Sequence, residues 1–283
     1  GVHTLPKFQK DATDRNRTSP FAFTGNKFEF RMVGSSDSIA TCNTVLNTIV
    51  AEAFCDAADA MEKAIAEGVP METAVKREIL KNLNNHNRIV FNGDGYSQAW
   101  VEEAARRGLP NLPSGIDAIP SLTTDKAVDL FGKFGVFSKV ELESRAEIRY
   151  EIYCKTINIE ARTMLNMVCK QYIPAIIRFN TELAGSIAAI AAACPEADIS
   201  VQKGMLVEAS SLLAQVHAAM HNLEKLADCA GAMESPCVAA RVYHDEVVPA
   251  MDALRAPIDA LEFIVDKKMW PYPSYGDMMF NVR

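Results

Sequence analysis

The chain has 283 residues, of which 49% are hydrophobic and 23% charged, a composition typical of a folded globular protein and not of a disordered one. Its formal net charge is −7 and no basic patch stands out, which argues against nucleic acid as a partner. Seven scattered cysteines without a C-x-x-C pair indicate free thiols and a cytoplasmic location. The longest apolar run, 187–193, is far shorter than the roughly 20 residues of a membrane helix, so no membrane partner is expected.

A short β segment is predicted near the start of the chain. Apolar and charged side chains alternate over 27–33, with Phe28, Phe30 and Met32 on one face and Lys27, Glu29 and Arg31 on the other. The turn signal at 24–26 makes 21–23 a neighbouring antiparallel strand. A row of cation, carboxylate and cation about 13 Å long can hold a metal ion and a phosphate or carboxylate ligand. The alternative is a solvated strand face whose charges pair with each other.

Helices are predicted after this segment. Asn43 is the expected N-cap of a helix that ends near Gly68, and Pro70 opens a further helix through Leu80. The stretch 81–125 is rich in loops, and Asn-Gly-Asp-Gly at 92–95 predicts a tight turn. A phosphate-binding loop is the less favoured interpretation, because the G-x-G-x-x-G spacing is incomplete.

From residue 138 onward the pattern changes to long amphipathic helices. Apolar residues recur every three or four positions along 146–172, 205–230 and 247–265, which predicts a bundle of antiparallel helices. Pro174 is expected to kink or end the first of these helices. Pro249 and Pro257 are expected to lie off the last apolar stripe, and the aromatic tail 269–275 to lie against the protein's own surface.

Two histidines in the segment predicted to form the bundle are a possible pair of metal ligands. His217 and His221 are four residues apart on one predicted helix, with Glu224 on roughly the same face. Two histidines are an incomplete site, and the H-E-x-x-H pattern fails because residue 218 is alanine. A helix surface without metal is therefore the simpler interpretation.

Several motifs together carry a family resemblance. The run D-R-N-R-T-S-P-F-A-F-T-G-N-K-F-E-F-R at 14–31, the run R-I-V-F-N-G-D-G-Y-S at 88–97 and the final W-P-Y-P at 270–273 resemble the type III branch of the glutamine synthetases. Ser121 to Phe137 also resembles the end of that family's catalytic domain. The resemblance implies synthesis of glutamine from glutamate, ammonia and ATP through γ-glutamyl phosphate, with Mg²⁺ or Mn²⁺ as cofactor.

The resemblance also implies roles for four residues. Glu29 matches the metal-ligating glutamate of the family's I-E-x-R strand, and Arg31 the arginine that contacts substrate glutamate. Arg17 matches the catalytic arginine near the transferred phosphate. Lys27 stands where the family often has an arginine facing ATP phosphates, a change that keeps the charge but loses the guanidinium fork.

The expected fold is mainly α, with a helical bundle at 138–283 preceded by a short β segment from the end of a catalytic domain at 1–137. The chain begins Gly-Val-His without Met, so we expect a piece of a longer protein that is catalytically inactive alone. The family's ring-shaped assemblies imply a homo-oligomer. The alternative is a non-catalytic helical module for oligomerisation or regulation, because the bundle sequence indicates no chemistry.

Overall fold

A computed structural model describes residues 21–23, 28–30, 38–91, 94–273 and 275–280. Two short strands come first, β1 (Phe21–Phe23) and β2 (Phe28–Phe30). The helices that follow in the described part are α1 (Ala40–Ala66), α2 (Met71–His86), α3 (Gln98–Arg106), α4 (Gly115–Ala118), α5 (Asp125–Lys133), α6 (Lys139–Met167), α7 (Ile173–Ala193), α8 (Ser200–Gly231), α9 (Pro236–Val242), α10 (Val248–Glu262) and α11 (Tyr275–Phe280). The predicted mainly helical fold is confirmed. The chain divides into two compact units, Gly1–Leu142 and Glu143–Arg283.

The strands β1 and β2 pair antiparallel. Phe21 lies opposite Phe30, Ala22 opposite Glu29, and Phe23 opposite Phe28. The second strand is described as Phe28–Phe30, and the rest of the strand predicted through Met32 lies outside the described residues.

In the first unit, α1 ends at Ala66 and Gly68 contributes to its C-terminal cap, as predicted. Gly68 has a φ of +88°. In this conformation a side chain with a Cβ atom would be sterically strained, so glycine is favoured. Its N–H donates to the Ile65 carbonyl at 2.9 Å and the next N–H, of Val69, to the Ala64 carbonyl at 3.0 Å. Together these two bonds form a Schellman cap, which satisfies carbonyls that the end of the helix would leave unpaired.

The predicted start of α1 was wrong. Asn43 lies inside the helix, and the Ser38 hydroxyl accepts a hydrogen bond from the Ala40 N–H at 3.2 Å, one turn earlier. The polar side chain that meets the helix start is therefore serine. The second helix begins after Pro70 as expected, but it continues past Leu80 to His86. The Glu78 carboxylate helps this extension, because it accepts hydrogen bonds from Lys81 and Asn82 on the next turn.

Replacing Gly68 with Ala should lower the free energy of unfolding of the first unit by about 1–2 kcal/mol, because the methyl group opposes the left-handed backbone. Nothing lies within 4 Å of the position that the new Cβ would take, so backbone strain is the only cost. Urea unfolding followed by circular dichroism measures the change. Gly132→Ala is the matched control: Gly132 lies in α5 without a positive φ and also has open space, so its substitution should leave stability unchanged or raise it. An equal loss in both variants would contradict the strain argument.

The second unit is the predicted bundle, and its three apolar stripes are confirmed. Its core is one cluster of buried residues from α6 through α10 and just beyond: Ala161, Val168, Ile176, Phe179, Ala209, Val216, Leu223, Ala227, Ala230, Tyr243, Val247, Ala250, Leu254, Ile258, Leu261 and Val265. At the surface, an ion pair links two of the helices: Arg162 of α6 lies 2.6 Å from Asp228 of α8. Hydrophobic burial therefore holds the bundle together, and the exposed ion pair adds little.

Two prolines of the bundle, Pro174 and Pro249, follow widened turns. Pro174 does not end its helix; α6 and α7 are joined by a π-helical turn, Val168–Tyr172, in which the Ile173 N–H donates to the Val168 carbonyl. Pro249 likewise follows the π-helical turn Tyr243–Val247. Proline lacks an N–H, and its ring collides with the carbonyl four residues earlier in an α-helix. The wider turn removes that collision, so the helix continues.

Pro257 was expected off the apolar stripe of α10, and that prediction was wrong. It is buried beside Ile258. Pro257 lies three residues after Leu254 and four before Leu261, and this spacing puts it on the same face of the helix. Pro249 is exposed, as expected.

The continuous helix Lys139–Ala193 contains a stretch long and apolar enough, by length and composition alone, to cross a membrane. Core helices of bundles can pass the same test. Only 17% of that stretch is buried within this chain. On α7 the buried side chains are those of Ala175, Ile176 and Phe179.

The aromatic tail lies against the bundle, as predicted. The rings of Trp270 and Tyr272 pack on Tyr172, with centroid distances of 5.0 and 5.1 Å. These contacts bury the Tyr172 ring and raise the pKa of its hydroxyl.

Candidate functional site

The four predicted site residues lie in the least described part of the chain. Arg17, Lys27 and Arg31 are outside the described residues. For Glu29 the structure describes the backbone alone, at the centre of β2 and opposite Ala22 of β1. Their roles therefore stay predictions, as does the face on which their side chains lie.

A second candidate is the R-I-V-F segment at 88–91, which Arg107 ties to α3. The Arg107 Nη1 donates to the carbonyl of Arg88 at 3.2 Å and to that of Val90 at 2.7 Å. Its guanidinium lies 5.6 Å from the centroid of the Trp100 ring, which stacks on Phe91 with centroids 4.1 Å apart. The Arg107 cation therefore contacts both the stacked Phe91–Trp100 rings and two backbone carbonyls, and these contacts fix the path of 88–91.

The Glu103 carboxylate completes this cluster. It accepts hydrogen bonds from both Arg106 and Arg107. These bonds, first that from Arg106 and then that from Arg107, lower the pKa of Glu103 from 4.5 to about 2. The sequence places Glu103 and Arg107 four residues apart on a helix, a spacing that signals an ion pair. Nothing in the sequence alone signalled the contact between Arg107 and carbonyls 17 and 19 residues earlier.

A turn at 94–97 follows the segment, whereas the predicted turn at 92–95 lies partly outside the described residues. Asn92 and Gly93 lie outside the described residues. The Asp94 carboxylate accepts a hydrogen bond from the Tyr96 N–H at 3.0 Å, and the Ser97 hydroxyl donates to the Asp94 carbonyl at 2.7 Å. Ser97 then caps α3 by accepting from the Trp100 N–H. Asp94 and Ser97 thus use their polar groups to build a turn, which is their structural role here.

Replacing Arg107 with Ala should lower the free energy of unfolding of the first unit by about 1–2 kcal/mol, because two backbone carbonyls lose a charged donor. Amide hydrogen exchange should rise over 94–100, next to the released segment. Arg106→Ala is the matched control, since Arg106 also pairs with Glu103 but is 74% exposed and directs its hydrogen bonds to that carboxylate. Similar exchange in the two variants would mean that the carbonyl contacts do not order the segment.

The low pKa of Glu103 makes a prediction about pH. Since the folded pKa is below the unfolded one, the pair stabilises the fold above about pH 4.5, and this contribution is lost as pH falls towards 2. Glu103→Gln should therefore be less stable than the natural chain at pH 7, and the difference should shrink below pH 4.5. Urea titrations at pH 7, 4.5 and 3 test this. A difference that does not depend on pH would rule out the ion pair as its source.

An apolar groove lies between α1 and α2, with a cavity of about 850 Å³. Large apolar side chains are exposed along it, including Phe54 at 72%, Leu83 at 63% and Ile89 at 62%. A patch of this kind is uncommon on a monomer surface and typically marks a contact with further protein.

His217 and His221 come together as the sequence predicted. Their Nε2 atoms are 3.2 Å apart, and the two rings meet edge to face. The Glu224 carboxylate lies 3.5 Å from the Nδ1 of His221. In the described part of the chain, however, no three His, Cys, Asp or Glu side chains cluster as ligands of one metal ion. That part therefore does not by itself fit the Mg²⁺ or Mn²⁺ site that the resemblance implies.

The cysteines are free thiols, as predicted. Cys154 donates to the Pro236 carbonyl at 3.6 Å, and burial raises the pKa of its thiol. A thiol that resists ionisation is a poor nucleophile, which agrees with a structural role.

Comparison with known proteins addresses the family. Residues 74–191 match the family described as Glutamine synthetase C-terminal domain. The chain is 39% identical over 287 residues to "Type-3 glutamine synthetase" of Dictyostelium discoideum, covering 99% of this chain and 38% of that protein. It is 36% identical over 276 residues to "Glutamine synthetase" of Butyrivibrio fibrisolvens, with 98% and 39% covered. A third relative, "Glutamine synthetase" of Bacteroides fragilis, is 30% identical over 285 residues, with 99% and 39% covered.

The matched range begins in α2 and ends in α7, so it includes the Arg107 cluster and the first half of the bundle. The chain spans about two-fifths of the length of these relatives. The similarity to the three proteins extends over nearly all of this chain, beyond the range of the family match at both ends. The chain is therefore similar over nearly its whole length to glutamine synthetases, among them a type-3 enzyme, and residues 74–191 match that family's C-terminal domain.

Proposed function

We propose that this chain is the C-terminal part of a glutamine synthetase that makes L-glutamine from L-glutamate, ammonia and ATP through γ-glutamyl phosphate. The observation that carries this proposal is the alignment of 99% of the chain with a relative named as a type-3 glutamine synthetase. The alignment includes the segment 14–31, where the family motif lies. The first unit then contributes the end of the catalytic domain, up to about residue 137, and the bundle follows from 138.

Four residues of that segment take the proposed roles. Arg17 acts near the transferred phosphoryl group, and Lys27 faces ATP phosphates. Arg31 binds the substrate glutamate, for which a guanidinium fork suits a carboxylate. Glu29 ligates a divalent cation, Mg²⁺ or Mn²⁺, whose charge offsets that of the phosphates when it is bound. These roles follow from the residue types in the motif.

One carboxylate and three cations do not complete a site for ATP, glutamate and metal together. The relatives have further sequence beyond the aligned part, and we propose that such sequence supplies the other metal ligands and the nucleotide contacts. The 283-residue chain alone should therefore be catalytically inactive.

The test is ammonium-dependent release of phosphate from ATP and glutamate, measured on this chain and on a longer protein that contains it. We expect turnover by the longer protein and none by the chain alone. Normal turnover by the chain alone would overturn the proposed division of the site. Inactivity of both would favour the second candidate, a non-catalytic helical module for oligomerisation or regulation, which the apolar bundle supports.

We further propose a homo-oligomer in the cytoplasm. The exposed apolar groove between α1 and α2 supports the assembly, because a surface of this kind gains stability by association. Sedimentation velocity tests it, with Phe54→Ser as the variant expected to weaken association. If the natural chain and the Phe54→Ser variant are both monomeric, assembly through this groove is ruled out.

A further inference from the structure

Helix α8 carries a pair of imidazoles that the proposed glutamine synthesis does not use. His217 and His221 lie one helical turn apart, with the two Nε2 atoms at 3.2 Å and the ring centroids at 4.5 Å. One Nε2 donates its proton to the other, since two bare nitrogens would repel at that distance.

The separation of the two nitrogens suits a metal ion. Imidazole nitrogen binds Zn²⁺ at about 2.0–2.1 Å, so two such bonds at a tetrahedral angle place the nitrogens about 3.3 Å apart. A right angle between them would give about 2.9 Å. The observed 3.2 Å falls between these values. A cation could therefore replace the shared proton without a change in the separation of the rings.

The Glu224 carboxylate favours the tautomer that a metal needs. It lies 3.5 Å from Nδ1 of His221, close enough to attract a proton to that atom. The Nε2 of His221 is then free of a proton and accepts from His217. A carboxylate behind a ligating histidine is the usual arrangement around protein-bound zinc, because it orients the ring and raises its basicity.

The opposite face of the helix that carries the two histidines is packed into the bundle core. Val216 and Leu223, which flank the two histidines, are fully buried in the bundle core. The imidazoles themselves are exposed, so solvent and a hydrated cation can reach them. A rigid helix with both ligands on its outer face needs little reorganisation on binding.

We propose that His217 and His221 form a two-imidazole site for a divalent d-block cation of the Zn²⁺ type, with water completing the coordination and Glu224 positioning His221. Imidazole ligands select Zn²⁺, Ni²⁺ and Cu²⁺ over Mg²⁺ and Mn²⁺. The site is thus chemically distinct from the Mg²⁺ or Mn²⁺ site proposed for Glu29, and it stands or falls independently of it.

Isothermal titration of the full, untagged chain with Zn²⁺ tests the proposal, after exposed thiols such as Cys229 have been blocked with iodoacetamide. His217→Ala and His221→Ala should each weaken Zn²⁺ binding at least about tenfold, since even loss of an outer partner costs 10- to 100-fold. Glu224→Gln should weaken it less. Mg²⁺ should neither bind at the pair nor compete.

His86→Ala is the matched control, because it removes one imidazole from α2 and leaves the pair intact. It should bind Zn²⁺ like the natural chain. The substituted histidines are exposed, so circular dichroism should show unchanged helix content in each variant. One Zn²⁺ per chain supports the site, and one per two chains with dimerisation supports the same two ligands shared between copies. Equal Zn²⁺ affinity in the natural chain and the His217→Ala variant overturns the proposal.

Discussion

Replacing Glu29 with Gln in a longer protein that contains this chain should reduce ammonium-dependent phosphate release by at least about 100-fold. Gln keeps the shape of the side chain but removes the negative charge that would bind a divalent cation. Loss of an outer-sphere partner of a metal already costs 10- to 100-fold in affinity or activity, and loss of a direct ligand should cost no less. The apparent affinity for Mn²⁺, followed by electron paramagnetic resonance, should fall in the same variant.

Glu72→Gln is a suitable control for this experiment. Glu72 lies in the first turn of α2, is 81% exposed and pairs with Lys76, so its loss should leave turnover unchanged. If the Glu29 variant keeps full activity while the unsubstituted protein is active, the family assignment stands and the proposed metal role of Glu29 is wrong. If turnover falls but Mn²⁺ affinity does not, Glu29 acts through something other than metal binding.

The bundle could be predicted from the sequence because burial imposes a simple period. Apolar positions repeat at the spacing of a helix face, as Val216 and Leu223 do on α8 and as Leu254 does with its neighbours on α10. The structure buries all three. The cap at Gly68 was predictable for a similar reason, since a left-handed residue after a helix favours glycine. Both features depend on neighbours in the sequence.

The errors arose where local rules met competing contacts. Asn43 is a good N-cap by type, but the helix begins earlier, where Ser38 accepts the first N–H. Proline opposes an α-helix, yet the π-helical turn before Pro174 relieves the collision and α7 continues. The contact of Arg107 with the Val90 carbonyl depends on how the chain returns on itself, which no local pattern encodes.

The proposed catalytic residues were predictable only through resemblance. An alternating charged strand such as 27–31 has the same pattern whether its face binds metal or water. Family motifs supplied the chemical interpretation, and the comparisons support the family while leaving the individual roles of Arg17, Lys27, Glu29 and Arg31 as proposals. The histidine pair is the opposite case, because helix geometry alone placed His217 near His221.

Replacing Leu254 with Ala should lower the free energy of unfolding of the bundle by about 2–5 kcal/mol. Leu254 lies on α10, is fully buried and belongs to the core cluster that also includes α8, so truncation removes buried methyl groups and leaves a cavity. The chain has two tryptophans, Trp100 in the first unit and Trp270 packed on Tyr172 in the second. Fluorescence of Trp270 in a Trp100→Phe background therefore reports urea unfolding of the bundle alone.

Phe263→Ala provides the contrast that separates burial from side-chain size. Phe263 follows α10 directly and is 93% exposed, so removal of this larger side chain should change stability by less than about 0.5 kcal/mol. A smaller loss for Leu254→Ala than for Phe263→Ala would mean that the stripe on α10 does not form the core. A large loss for Phe263→Ala that grows with protein concentration would instead show that this ring is buried against a second copy, because stability then depends on association. Equal and small effects of both substitutions would contradict a bundle held together by hydrophobic burial.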